Sequence, residues 1–218
     1  MKIPAFLLLA ALALSACAHV PPAPPPPPDP KTQMVALEHR IAALVEEERL
    51  KLDPKARPLA VDAELAKVAR ARASDMATKN YLAHQGPDGT TSATLLMQED
   101  AKWQGLLGEN LAAQHYTKQG GVAVEDFARR FLDEWLKSPP HRDNMAFANY
   151  DHAGVGAAVN GDTVYVAVLF STDMGLPRPR SEGPANAVTS WASPSAAEAV
   201  PAKPADSPLR LRGAEGEQ

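Results

Sequence analysis

An α+β domain, built as a three-layer α-β-α sandwich with a small antiparallel sheet between helices, is the fold class this sequence predicts, on three observations. Apolar residues recur at three- and four-residue spacing over residues 32–51, 62–76 and 124–135, the signature of helices with one buried face. The period then changes to two across Ala153–Val159 and Asp162–Ser171, which flank Asn160-Gly161, a dipeptide suited to a type I′ hairpin turn. In the second of these strands both alternating sets, Val164/Val166/Val168/Phe170 and Tyr165/Ala167/Leu169, are largely apolar, so helices must cover both faces of the sheet.

The first helix carries Met34, Leu37, Ile41, Leu44, Val45 and Leu52 on one face, and Pro54 and Pro58 punctuate it. Asp62 caps the second, whose inward face is Leu65, Val68, Ala69, Arg72 and Met76, with Arg72 at the polar edge of that face. A short third helix is expected over Ser92–Asp100. The next shows Val124, Phe127, Ala128, Phe131, Leu132 and Trp135 in register and is read as the central packing element.

Outside this domain, 31–176, the chain changes character. Lys2 precedes an apolar run from Ile3 to Leu14, too short to cross a bilayer core of about 30 Å, and then Ser15-Ala16-Cys17. Residues 1–16 therefore read as a signal peptide. Leu14-Ser15-Ala16-Cys17 resembles a bacterial lipobox, in which Cys17 becomes the lipid-modified first residue; the alternative is a soluble secreted protein with a chance cysteine near an ordinary cleavage site. By resemblance to lipoproteins of Gram-negative cells, the destination is the outer membrane, and the membrane is a partner through Cys17. Eight prolines in residues 21–30 make 17–30 an extended stalk of about 3.1 Å per residue. Residues 177–218, rich in Pro, Ala, Ser and charge, read as a disordered tail, in which Trp191 is either a docking residue or an isolated apolar side chain.

Cys17 is the chain's one cysteine, so the domain folds without a disulfide in a compartment that would permit one. The formal net charge is −4, one unit more negative once Lys2 leaves with the signal, which argues against nucleic acid as a partner. No Gly-rich phosphate loop is present, and neither a nucleotide nor a redox cofactor is implied.

Three segments carry candidate chemistry. His84 follows Asn80-Tyr81-Leu82-Ala83 and precedes the turn-rich Gln85-Gly86-Pro87-Asp88-Gly89, a placement that exposes it in a cleft; an ordinary loop histidine is the plain alternative. Glu109 sits between Gly108 and Asn110, residues tolerant of unusual backbone angles, which would aim its carboxylate inward. His141 follows Ser138-Pro139-Pro140, which ends the long helix in a turn that fixes the imidazole, while Arg142 and Asn144 supply donors able to tie that loop to backbone carbonyls. Trp103 and Trp135 are either ligand contacts or core, and Trp135 lies on the apolar stripe.

Their order resembles the CAP superfamily, the cysteine-rich secretory and plant pathogenesis-related proteins, in its bacterial, disulfide-free form. The match runs over roughly residues 34–172: Met76-Ala77 with His84 seven residues on from the alanine, Gly108-Glu109-Asn110, Trp135-x-x-Ser138-Pro139-x-His141-Arg142-x-Asn144, and Tyr150-x-x-x-Gly154-Val155-Gly156. The resemblance implies the same sandwich fold and a central cleft lined by His84, Glu109 and His141, in which the two histidines of some members bind zinc or another divalent cation. One departure matters: eukaryotic members usually carry a second glutamate where this chain has Ser138, and Glu134 points away from the cleft by about 100° per residue of helix. The site is thus read as a His–Glu–His triad. A zinc ion would find two imidazoles and at most one carboxylate.

Three functions compete at this stage. The favoured one is an envelope-anchored binding module whose cleft takes a lipid, glycan or peptide. The second is a metal-assisted, peptidase-like hydrolase with His84 and His141 as ligands and Glu109 as general base. A Ser138–His141 nucleophile pair is a weaker variant, since Ser138 is explained by helix termination. The third makes the His–Glu contacts purely structural.

Overall fold

The computed structural model describes residues 25–173. The signal peptide, Cys17, most of the stalk and the tail with Trp191 lie outside the described residues. Helix α1 (Pro30–Leu52) starts with Asp29 accepting a hydrogen bond from the Lys31 amide and Pro30 at the first helical position. It buries Met34, Leu37, Ile41, Leu44 and Val45. After the two-residue strand β1 (Ala60–Val61), Asp62 caps α2 (Ala63–Lys79) through the amides of Glu64 and Leu65, as its sequence predicts. Next come α3 (Ser92–Glu99), β2 (Gly105–His115), α4 (Val124–Lys137), α5 (Pro139–Ala146), β3 (His152–Asn160) and β4 (Thr163–Asp173).

The sheet runs in the order β1-β3-β4-β2. The β2–β4 and β3–β4 pairs are antiparallel, but β1 joins β3 in parallel, so the expected antiparallel sheet is mixed at one margin. Both faces of β4 are buried, as its two apolar sets require. Val164, Val166, Val168 and Phe170 pack with α1, α4 and Tyr150, while Tyr165, Ala167 and Leu169 pack with α2 and Leu96. Phe127, Phe131 and Trp135 bring α4 onto the first cluster, with Phe131 and Trp135 stacked at 6.1 Å.

Four expectations are corrected. The hairpin loop is Gly161-Asp162, since Asn160 pairs with Thr163 and only Gly161 has positive φ (+60°); that pattern is a type II′ turn rather than I′. Arg72 does not edge the face of α2: it is wholly buried. Ser138-Pro139-Pro140 ends α4 and also starts α5, because prolines at the first two helical positions need no amide partner. Finally, Gly108-Glu109-Asn110 is no turn. It lies in the middle of β2, with Gly108 opposite Phe170 and Asn110 opposite Val168.

Gly154 and Gly156 gain a physical reason here. An added Cβ would stand 2.2 Å from the Ala66 amide nitrogen and 2.1 Å from that of Arg70, so α2 rests directly on the backbone of β3.

Candidate functional site

β2 is the edge strand opposite β1, and the cleft lies across its edge. About 420 Å³ is lined by His84, Leu107, Gly108, Glu109, Asn110, Pro140, His141 and Asn144. Because alternate residues of a strand face opposite ways, Leu107 and Glu109 belong to the α2/α3 side and Gly108 and Asn110 to the α4/α5 side. The three candidate residues of the sequence therefore meet in one cleft, each delivered by a different layer.

His84 is positioned from below by buried Arg72. α2 ends at Asn80 in left-handed conformation (φ 54°), its side chain accepting from the Tyr165 hydroxyl at 2.7 Å. Arg72 then donates to the carbonyls of Ala83 (2.8 Å) and His84 (3.1 Å) and to the Tyr81 hydroxyl (3.0 Å). This fixes the backbone under the imidazole, whose Nδ1 lies 2.6 Å from Glu109 Oε2. The other Glu109 oxygen accepts from the Ser92 hydroxyl and lies 3.8 Å from Arg72 Nε. The carboxylate is 11% exposed and the imidazole 65%. The Glu109 hydrogen bond accordingly holds the His84 pKa above the usual histidine value, outweighing burial.

His141 sits in the first turn of α5. Its carbonyl accepts from Asn110 Nδ2 at 3.0 Å; Asn144 Nδ2 donates to Asn110 Oδ1 at 2.9 Å; and the Tyr150 hydroxyl donates to Asn144 Oδ1 at 2.9 Å. Tyr150 is in turn stacked on Phe170 at 5.4 Å. Gly108 makes this chain possible, since a Cβ there would fall 2.2 Å from the Tyr150 hydroxyl and 2.4 Å from Asn144 Oδ1. Its glycine answers a close approach; its φ is not positive. Arg49, also wholly buried, fastens the following loop by donating to the carbonyls of Met145 (2.5 Å), Phe147 (3.1 Å) and Tyr150 (3.2 Å). The His141 Nδ1 is buried with no hydrogen-bond partner among the described residues, and burial, followed by the neighbouring His84, lowers the pKa of the ring.

Asn144 thus ties the loop through side chains rather than the expected backbone carbonyls, and Arg142 pairs at the surface with Asp143 at 3.6 Å. Trp135 is core, its indole donating to the Leu111 carbonyl at 3.1 Å. Trp103 is half-buried against the α2/α3 side. Glu134 takes a 2.5 Å hydrogen bond from Gln114, five residues along β2 from Glu109, and does not belong to the cleft. Sequence reasoning missed Arg72, Ser92 and Tyr150. Of these only Tyr150 belongs to a motif read from the sequence; Arg72 and Ser92 entered only as helix positions.

The donors do not assemble a resident metal cage. Among the described residues no three His, Cys, Asp or Glu side chains group as ligands, and Glu109 already serves His84 and Ser92. Two imidazoles fall short of the three or four protein ligands typical of zinc sites.

Residues 49–172 match the Cysteine-rich secretory protein family, CAP. The chain belongs to this family. It is 32% identical over 126 residues to the uncharacterized protein YkwD of Bacillus subtilis (strain 168), a match covering 58% of this chain and 44% of the relative, so it spans less than half the length of that relative. Among solved structures it resembles an extracellular protein containing an SCP domain from Bacillus anthracis str. Ames, at 28% identity and a TM-score of 0.52 over 69% of this chain and 45% of that one. An outer surface protein of Borrelia burgdorferi shares the fold at a TM-score of 0.50 and 24% identity, over 61% of this chain and 90% of that one. Of the residues in the sequence motifs, His84, Gly108, Glu109, Asn110, His141 and Asn144 line this one cleft.

Proposed function

We propose that this CAP protein works outside the cytoplasm as a binding module, held to the bacterial envelope through Cys17 at the outer membrane, and that the cleft over β2 takes a lipid, glycan or peptide from that envelope. The supporting observation is the meeting of two histidines with different surroundings in one cleft: solvent-facing His84 bonded to Glu109, and half-buried His141, whose buried Nδ1 has no partner among the described residues. A polar ligand group can accept from His84 and engage His141 while the apolar Leu107 and Pro140 line the remainder. The similarity to an extracellular SCP-domain protein supports the location.

The hydrolase alternative draws less support. Glu109 already bonds His84 through one oxygen and Ser92 through the other, so a water would compete with both for its carboxylate, and among the described residues no three side chains group as ligands for a resident metal.

The test is binding of the full chain to isolated envelope phospholipids, peptidoglycan fragments and a peptide digest, compared with His84→Ala/His141→Ala. Binding to one class that the double variant loses is expected. Equal binding by the variant moves the ligand to another surface, and turnover of the peptide digest that disappears in Glu109→Gln would favour the hydrolase.

A further inference from the structure

We infer that the cleft recognises polypeptide: the outward edge of β2 at Leu107 and Glu109 takes an extended peptide of another molecule by main-chain hydrogen bonding, with an apolar side chain laid toward Leu106 and Phe147. The inference rests on the proposed binding function and narrows its ligand from lipid, glycan or peptide to one class.

The first observation is which backbone groups point outward. Asn160 and Thr163 close a two-residue hairpin loop, and such a closing pair exchanges both its N–H and C=O groups. Odd-numbered residues of β4 therefore bond toward β3 and even-numbered ones toward β2. With the observed register, the partners are the even residues Leu106, Gly108, Asn110 and Ala112 of β2. The Tyr116 amide donating to the Asp162 carbonyl at 2.9 Å fits the same parity. So does Leu111, whose carbonyl turns away from β4 to meet the Trp135 indole. Leu107 and Glu109 share that parity, and their N–H and C=O groups face away from β4. No strand or other backbone group among the described residues pairs with them.

The second observation is that these groups face the cleft. Four successive residues of β2, Leu107 to Asn110, line it. Successive side chains of a strand point to opposite faces, so four in a row line one cavity only when the strand edge is its wall. The cavity, about 420 Å³, therefore opens on an unpaired ladder, and such an edge is a template for another strand.

The chemistry of that wall separates the three ligand classes. It offers donor and acceptor together at Leu107 and again at Glu109, about 7 Å along the strand. A lipid phosphate brings acceptors alone, so it would meet two carbonyls and the Glu109 carboxylate without a donor for any of them. Sugar hydroxyls can donate and accept, but they carry no fixed donor–acceptor pair at this repeat. An extended peptide does, since alternate residues turn both N–H and C=O the same way.

Apolar surface continues the edge. Leu106 shares the parity of Gly108 and so belongs to the α4/α5 side. On that side Phe147 meets the edge of the Tyr150 ring at 4.8 Å, and the Tyr150 hydroxyl abuts Gly108. Leu106 and Phe147 are 44% and 38% exposed, unusual for large apolar side chains beside a cleft. A guest residue directed to that side near the start of β2 would cover them.

The experiment is amide NMR of the full chain with a pool of acetylated, amidated pentapeptides bearing Leu, Val or Phe at the second and fourth positions and Ala, Ser or Thr elsewhere. The Leu107 and Glu109 amides should shift most. The tightest peptide is then resynthesised with a single backbone N-methyl group at each of two adjacent residues. Whichever way the guest strand runs, one of these amides faces β2 and the other faces solvent. The first N-methyl peptide should bind at least about tenfold more weakly than the second, because a hydrogen bond is lost and a carbonyl stranded. Leu106→Ala, a change at an exposed position, should weaken binding by about threefold or more. Equal affinity of the two N-methyl peptides, or a pool that leaves Leu107 and Glu109 unmoved, overturns the inference. If phosphatidylethanolamine/phosphatidylglycerol vesicles or peptidoglycan fragments then shift the His84 and His141 rings while the pool does not, the peptide reading falls and the binding cleft stands. If none of the three perturbs the cleft, both fall.

Discussion

Replacing Gly108 with alanine tests the packing that holds His141. The new methyl carbon would lie 2.2 Å from the Tyr150 hydroxyl and 2.4 Å from Asn144 Oδ1, where ordinary contact begins near 3.4 Å. Something must move by about an ångström. Tyr150 cannot swing freely, since its ring is stacked on Phe170 at 5.4 Å and meets the edge of Phe147 at 4.8 Å. Asn144 bridges Tyr150 and Asn110, so its displacement breaks two hydrogen bonds. Overpacking costs about 1–3 kcal/mol and each lost bond about 1 kcal/mol, so a destabilisation of about 3 kcal/mol is expected. For a domain of this size that is a fall in Tm of roughly 10 °C. Urea denaturation of Gly108→Ala, Tyr150→Phe and the double variant measures it. Because Tyr150→Phe removes the nearest obstructing atom, the Gly108→Ala penalty should shrink by about 1 kcal/mol in that background. A penalty under about 0.5 kcal/mol, or strict additivity, would refute the close-approach account of this glycine.

The two histidines should move stability in opposite directions with pH. His84 has a raised pKa in the fold, so its contribution is fully present below the unfolded value near 6.5 and is lost as pH rises through the folded value; denaturation of His84→Gln should show a smaller acid-side benefit than wild type. His141 has a lowered pKa, so its contribution is present above about 6.5 and is lost as pH falls toward the folded value; His141→Gln should gain stability relative to wild type between pH 7.5 and 5.5. Arg72→Met strands the carbonyls of Ala83 and His84 and should destabilise by about 3 kcal/mol, with Arg72→Lys recovering only part, because an ammonium cannot span the same fork of acceptors. Gly156→Ala sets a methyl against the α2 backbone at 2.1 Å, which no side-chain rotation relieves, and circular dichroism should show a larger loss of Tm than for Gly108→Ala.

Helices α1 to α4 and the hairpin were legible because their burial is one-sided or two-sided in a regular period, whereas α5 was read as a turn because its prolines mark a helix end as well as a start. Leu37, Ile41, Val45 and Phe127, Phe131, Trp135 fall on the predicted stripes, and β4 alternates as read. β2 was not legible: Gly105-Leu-Leu-Gly-Glu-Asn-Leu-Ala-Ala lacks β-branched residues, and Gly-Glu-Asn carries turn chemistry. Its strand state comes from an eleven-residue ladder to β4, a tertiary effect that local sequence does not encode. The same holds at the site. His84, Glu109 and His141 were found by motif, but Arg72 read as the polar edge of the inward face of α2 because nothing along the chain shows that four acceptors and near-acceptors converge on it. Ser92, at the start of a helix, gave no signal that its hydroxyl would reach a carboxylate seventeen residues away.

The most direct test of the binding cleft is histidine-selective NMR of the full chain while the envelope phospholipids, peptidoglycan fragments and peptide digest are added in turn. The account predicts that one class shifts the His84 and His141 ring signals together, leaving His39 and His115 in place. Binding detected by co-sedimentation while both cleft imidazoles stay unmoved would contradict it.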